Sequence, residues 1–276
     1  MIYLSASYLL SHAGYVGKDE RGCLKKHLEI TVDGHKLSVE YRNCESDDLI
    51  VFIHGLGCSS KSFHKAWDFD RLANYSLLAF DLSGFGLSDK PVNYSYAMED
   101  QAELCRKVLE QFRTKRVHIV AHSMGGTIGL LLAQKFLSHS FINVEGNLIA
   151  EDSGLISRNT IKVSEQDFVN HGFFNLCQLL ADYRENCFDL ANAMPEAFYR
   201  SAESLVEWSD SGKLLNLFEE LTIPRLYVYG QDNVSMPILQ KLNIQTTTEQ
   251  IPNSGHFPMI DNSDAFYSVV ADFVKC

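Results

Sequence analysis

An α/β architecture built on a mostly parallel sheet is predicted by three observations. Short apolar runs recur along the chain, several of them ending in a loop that carries glycine or asparagine. Amphipathic helical stretches lie between them. One run, in VHIVAHSMGG over 117–126, passes straight into a helical pattern through a single serine. Strands alternating with helices in this way imply parallel strands joined by right-handed crossovers.

The elements follow in order. The segments 28–32 and 36–42 alternate apolar and polar residues around Asp33-Gly34, a turn pair that predicts an opening β-hairpin. Leu49–Ile53 reads as a buried strand ending in His54-Gly55-Leu56-Gly57, and a short helix is expected near Phe63–Trp67. Leu77–Phe80 is a second buried strand, followed by DLSGFGLS over 81–88, where Gly84 and Gly86 read as loop punctuation. Between Tyr96 and Phe112, one helical face carries Ala102, Cys105, Val108, Leu109 and Phe112. The Val117–Ala121 strand then meets Ser123, and Thr127–Phe136 continues as a helix with Ile128, Leu131, Leu132 and Phe136 at helical spacing. Phe141–Val144 is a brief strand ending on Glu145-Gly146-Asn147.

From Leu155 to Leu221 the strand repeat stops, and several helical faces carry nine aromatic residues. This composition suits a helical insertion with an apolar inner face. Strands resume at Leu226–Tyr229, which ends in Gly230-Gln231-Asp232-Asn233, and near Gln250-Ile251. A helix over 265–274 closes the chain.

A chain of 276 residues buries a large core without staples. Its 35 acidic and 24 basic residues give a net charge of −11, which argues against nucleic acid or an anionic membrane surface as partner. The seven cysteines are odd in number, scattered and without a C-x-x-C pair, so neither a disulfide framework nor a zinc site is expected. A reducing compartment, the cytoplasm, fits that pattern. The first thirteen residues, MIYLSASYLLSHA, lack a basic start and hold three serines. They read as an edge segment packed on the domain rather than a signal peptide, and no stretch has the length of a membrane span. Ser60-Lys61-Ser62 lacks the glycine frame of a phosphate loop. No metal or cofactor is expected.

A serine at a strand-to-helix turn is thrown out at the apex, and the turn needs small residues two positions either side. Ala121 and Gly125 supply them. With this A-x-S-x-G turn, HGLG at 54–57, D-x-x-G-x-G-x-S at 81–88 and SGHFP at 254–258, the chain resembles the α/β-hydrolase superfamily from about Leu28 to its end. The resemblance implies the α/β-hydrolase fold: a mostly parallel, roughly eight-stranded sheet with helices on both faces. It also implies a core of residues 1–154 and 222–276, with 155–221 inserted as a helical cap over the active site.

A serine hydroxyl needs a base to attack at neutral pH, and the resemblance assigns Ser123 as nucleophile and His256 as that base. The backbone N–H groups of Leu56 and Met124 are the implied oxyanion donors. His54 and His122 are expected to support their loops. The acid departs from the usual pattern: the family's common position, three residues past the glycine after the Leu226–Tyr229 strand, is Asn233. Asp232 stands one residue early. Glu145 ends the strand after the serine's helix, the position used by haloalkane dehalogenases, and a carboxylate closing an apolar strand needs a partner. Glu145 therefore ranks ahead of Asp232, with Asp152 third, and the choice stays open.

A serine nucleophile argues against dehalogenase or epoxide hydrolase chemistry, where the resemblance would demand aspartate. The implied reaction is acyl transfer to water on a small, hydrophobic ester, thioester or amide. The acidic surface disfavours steering of anionic substrates such as acyl-CoA. The same fold also serves cofactor-free lyase or isomerase chemistry and ligand binding without turnover.

Overall fold

A computed structural model describes residues 13–18, 23–112, 114–183, 185–243 and 247–275. The edge segment expected over the first thirteen residues lies outside them except for Ala13, where the first strand begins.

Among the described residues, the sheet has nine strands: β1 (Ala13–Lys18), β2 (Leu24–Val32), β3 (His35–Asn43), β4 (Asp48–Ile53), β5 (Ser76–Phe80), β6 (Arg116–His122), β7 (Ser140–Val144), β8 (Arg225–Gly230) and β9 (Thr247–Ile251). Their spatial order is β1-β2-β3-β5-β4-β6-β7-β8-β9. From β5 through β9 every neighbouring pair is parallel, while β1, β2 and β3 run antiparallel and join the rest through β3 and β5. The extra strand relative to the expected eight is β1, at the edge. The hairpin turns where expected: Val32 pairs with His35, and Asp33 and Gly34 both take positive φ, 52° and 83°.

Both faces of the central strands are buried, which explains why they read as continuous apolar runs. Val51, Ile53, Ile119, Ala121 and Phe141 belong to one core cluster. The alternate residues Ile50, Phe52, Val120, Ile142 and Val144 belong to the other. The first cluster takes in α1 (Met98–Leu109) and α2 (Met124–Lys135), with Ala102, Cys105, Val108 and Leu109 inward as their spacing predicts. The 3-10 segment Ser60–Asp68 and α10 (Ser263–Phe273) contribute to the second.

Between β7 and β8 run α3 (Leu155–Thr160), α4 (Glu165–Asp167), a π turn (Phe168–Gly172), α5 (Phe173–Leu179), α6 (Pro195–Asp210) and α7 (Leu214–Glu219). Two shorter helices, α8 (Ile238–Lys241) and α9 (Pro258–Asp261), flank β9. The aromatic residues of the helical segment divide. Phe168, Phe198 and Phe218 are buried, whereas Phe174 and Tyr183 are exposed. Among the described residues, no helix is long and apolar enough to cross a membrane.

The cysteine expectation needs correction. Cys23 and Cys44 form a disulfide, with Cα atoms 4.7 Å apart. Each lies one residue beyond the Leu24–Asn43 pair at the open end of the β2–β3 hairpin. Hairpin register brings them face to face, and a spacing of 21 residues does not announce that. A disulfide is chemistry of oxidising compartments, so the cysteines no longer argue for a reducing one.

Candidate active site

Ser123 sits between β6 and α2 with φ 54° and ψ −123°, outside the ordinary basins. Such a backbone costs about 1–3 kcal/mol and persists only where the surroundings over-determine it. Here the Ser123 N–H donates to the Val144 carbonyl at 3.0 Å, and the Ser123 carbonyl accepts from Gly126 N–H at 2.7 Å. Gly125 must be glycine: a Cβ there would lie 2.5 Å from the carbonyl oxygens of both Ile53 and His54. The small residues around the serine thus let α2 start hard against the end of β4.

Three predicted side chains converge at the C-terminal ends of the parallel strands. His256 Nε2 lies 3.1 Å from Ser123 Oγ. On the other side of the ring, Nδ1 lies 2.7 Å from Glu145 Oε2. A carboxylate only accepts, so Nδ1 carries the proton and Nε2 is free to accept from the serine hydroxyl. The Glu145 side chain is 1% exposed, and its charge is well partnered. Oε1 accepts from Gly230 N–H at 2.7 Å, and the Asn233 amide donates to both oxygens at 2.8 Å.

Asp232 is exposed and makes no hydrogen bond to His256; its backbone N–H donates to the Ser254 carbonyl. Asp152 is occupied elsewhere, accepting from the Leu148 and Ile149 N–H groups at 2.9 and 3.0 Å. Sequence reasoning noted Asn233 only as the place where an acid is missing. The signal available was the pairing of an amide at one of the two acid positions with a carboxylate at the other.

Of the two expected donors, Met124 follows the serine in the chain and Leu56 follows Gly55, which packs against it. Met124 is the first residue of α2, where backbone N–H groups lack helical acceptors and the helix dipole is positive. Leu56 lies in a turn closed by Cys58 N–H to the Gly55 carbonyl, and a Cβ on Gly55 would come within 3.1 Å of Ser123 Cβ. His54 braces this loop. Its Nδ1–H donates to the Gly55 carbonyl at 2.8 Å, so Nε2 is the acceptor for Leu82 N–H at 3.0 Å. Burial lowers its pKa, consistent with that neutral tautomer.

His122 has a comparable role beside His256. Its Nε2–H donates to the His256 carbonyl at 2.7 Å, and the two rings lie 4.8 Å apart. Burial, and then the neighbouring His256, hold its pKa well below 6.5. It therefore stays neutral and steadies the loop that carries His256. The loop after β5 is tied by Asp81, whose carboxylate accepts from Ser60 N–H and Leu87 N–H, both at 2.8 Å. The glycines beside it are thus part of an anchored turn. Among the described residues, no group of three or more His, Cys, Asp or Glu side chains is placed to hold a metal ion.

This fold and this strand-to-helix serine define an α/β-hydrolase-type protein. The profile of the alpha/beta hydrolase family matches residues 50–269, and the chain belongs to that family. A probable lysophospholipase of Arabidopsis thaliana, BODYGUARD 4, is 37% identical over 115 residues, 41% of this chain and 27% of that protein. The chain spans only 20–28% of the length of the first four curated relatives it matches. An uncharacterised Mycobacterium tuberculosis protein is 25% identical over 284 residues, covering 88% of this chain and 80% of its own. Among solved structures, the N-acyl homoserine lactonase AidH with N-hexanoyl homoserine superposes with a TM-score of 0.72. That match covers 91% of this chain and 96% of the other at 19% identity, a likeness of fold.

Proposed function

We propose that this protein is a serine hydrolase that cleaves a small, hydrophobic ester or thioester through an acyl-enzyme. The observation that carries the reading is the unbroken hydrogen-bonded series from Glu145 through His256 to Ser123. His256 takes the Ser123 proton as Oγ attacks the carbonyl carbon, and Glu145 supports the imidazolium that forms. The tetrahedral oxyanion is held by the Leu56 and Met124 N–H groups, each such donor being worth about 2.7–4 kcal/mol in the transition state. His256 then returns the proton to the leaving alcohol or thiol, and a water molecule repeats the sequence to release the acid. Residues 155–221 act as a cap: Asp189 N–H donates to the Gly57 carbonyl at 2.8 Å and Met194 N–H to that of Gly84 at 2.9 Å, beside the oxyanion loop. The names of two of the similar proteins, a lactonase and a probable lysophospholipase, agree with hydrolysis of a carboxylic ester.

Mass spectrometry after fluorophosphonate treatment tests the reading. One adduct is expected on native protein, at Ser123, and none on Ser123→Ala. Native protein that stays unlabelled while folded would overturn it.

A further inference from the structure

Two peptide units of the loop after β4 are hydrogen-bonded in series, and the series starts in the helical segment. In a trans peptide the N–H and the C=O point in opposite directions. Asp189 N–H donates to the Gly57 carbonyl at 2.8 Å, and the Cys58 N–H of that same peptide unit donates to the Gly55 carbonyl at 3.2 Å. The Gly55 carbonyl also accepts from His54 Nδ1–H at 2.8 Å. It shares its unit with the Leu56 N–H, which is thereby directed away from both donors. Asp189 N–H, the Gly57–Cys58 unit and the Gly55–Leu56 unit thus run head to tail and end on the implied oxyanion donor. Hydrogen bonds linked in this way polarise one another.

Side chains hold the first member of the series in place. The Asp189 carboxylate pairs with Lys61 Nζ at 3.1 Å and accepts from Asn192 Nδ2 at 2.8 Å. Just before it in the chain, the Cys187 carbonyl accepts from Cys58 Sγ–H at 3.0 Å and the Asn186 carbonyl from Ser62 Oγ–H at 3.2 Å. Leu190 and Phe198 cover Gly57 so closely that a Cβ there would lie 2.8 Å from each. Gly57 is buried, so its carbonyl depends on the Asp189 N–H for a partner.

Resting on the hydrolase reading above, we propose that Asp189 is a positioning residue for the oxyanion hole: fastened to the loop, it fixes the Gly57–Cys58 peptide and, through it, the direction of the Leu56 N–H. Losing an oxyanion donor costs about 10²–10³ in kcat, so Asp189→Ala, which loosens one, should lower kcat on a p-nitrophenyl ester about tenfold or more. KM should stay within about twofold. Asp189→Asn keeps an oxygen for Asn192 and Lys61 and should recover most of the loss. Ser62→Ala removes one fastening with little change in volume and should lower kcat about threefold or more, the scale of one hydrogen bond; it carries the test if Asp189→Ala does not fold. A 1,1,1-trifluoro-2-ketone separates positioning from folding. Ser123 Oγ adds to its carbonyl carbon, His256 takes the proton, and the carbonyl oxygen is left as an oxyanion in the hole. Its Ki should rise by the factor by which kcat falls. A structural defect would instead lower the fraction of titratable serine and leave the Ki of the remainder unchanged. That result, or kcat and Ki both within about twofold of native, would overturn the role of Asp189. Native protein that neither takes up the ketone nor labels with a fluorophosphonate would refute the hydrolase reading and the positioning role with it.

Discussion

Two loops at the same end of adjacent strands carry carboxylates with opposite environments. After β7, Glu145 is buried, and both its oxygens accept hydrogen bonds, from Gly230, Asn233 and His256. After β8, Asp232 is exposed, and its neighbour Asn233 turns inward instead. The 3-10 turn Gln231–Asn233 explains the split: with three residues per turn, one step along the chain rotates a side chain by about 120°. The acid that meets the imidazole is thus decided by which side chain the turn points inward. The loop after β8 contributes an amide to a carboxylate supplied by the loop after β7.

The largest effect tests that contrast directly. Glu145→Gln is expected to lower kcat about 10⁴-fold, the scale seen when the acid of a triad becomes an amide. Asp232→Asn, at an exposed position, should leave kcat within about threefold. Steady-state kinetics on any ester the protein turns over, or the rate of fluorophosphonate labelling, reads both. Comparable losses in the two variants would break the comparison.

A smaller effect sharpens it. If the loop after β8 serves by clamping the carboxylate, Asn233→Leu removes hydrogen bonds to a charged group, each worth about 1.5–3 kcal/mol. A fall in kcat of about 10- to 100-fold with KM nearly unchanged is expected, because in the proposed mechanism the clamp acts through His256 and not on the substrate. Asn233→Ser, which keeps a donor at that place, should recover part of the loss. A drop in KM-linked binding alone would assign Asn233 to substrate contact instead.

Most of the frame was legible in the chain because it rests on local rules. Apolar runs buried on both faces gave β4 to β8, Asp33-Gly34 gave the hairpin turn, and small residues around Ser123 gave the sharp entry into α2. Ser123, His256 and Glu145 each stood out as candidates in the loops that follow strands, with Asp232 left as a rival to Glu145. What the chain withheld depends on rotation and register across distant segments. Whether Asp232 or Asn233 faced inward needed the 3-10 turn. The Cys23–Cys44 bridge needed the β2–β3 register. The roles of His54 and His122 needed the carbonyls that fix their tautomers.

A third carboxylate, seven residues beyond Glu145, shows what burial does when partners are fewer. Asp152 Oδ2 accepts from Leu148 and Ile149 N–H, but Oδ1 is buried without a hydrogen-bond partner. Burial outweighs those two bonds and raises its pKa from 3.8 to about 6, with Glu151 adding to the rise and Lys241 opposing it. Burial, and then the charges of Asp152 and Glu145, push the Tyr227 phenol well above 10, and its hydroxyl is also unpartnered. The folded protein therefore holds the Asp152 proton more tightly than the unfolded chain does. Stability from this group is full below about pH 4, falls as pH rises to about 6, and stays lost above that. With partial exposure discounted, the loss is about 1–2 kcal/mol. Asp152→Asn keeps an oxygen for the two N–H groups and carries no charge, so it should raise the melting temperature at pH 7 by a few degrees and flatten its slope between pH 4 and 6. A variant less stable than native at pH 7, with the slope intact, would show that Asp152 is as well satisfied in its charged form as Glu145, and the contrast between a clamped and an under-partnered carboxylate would fail.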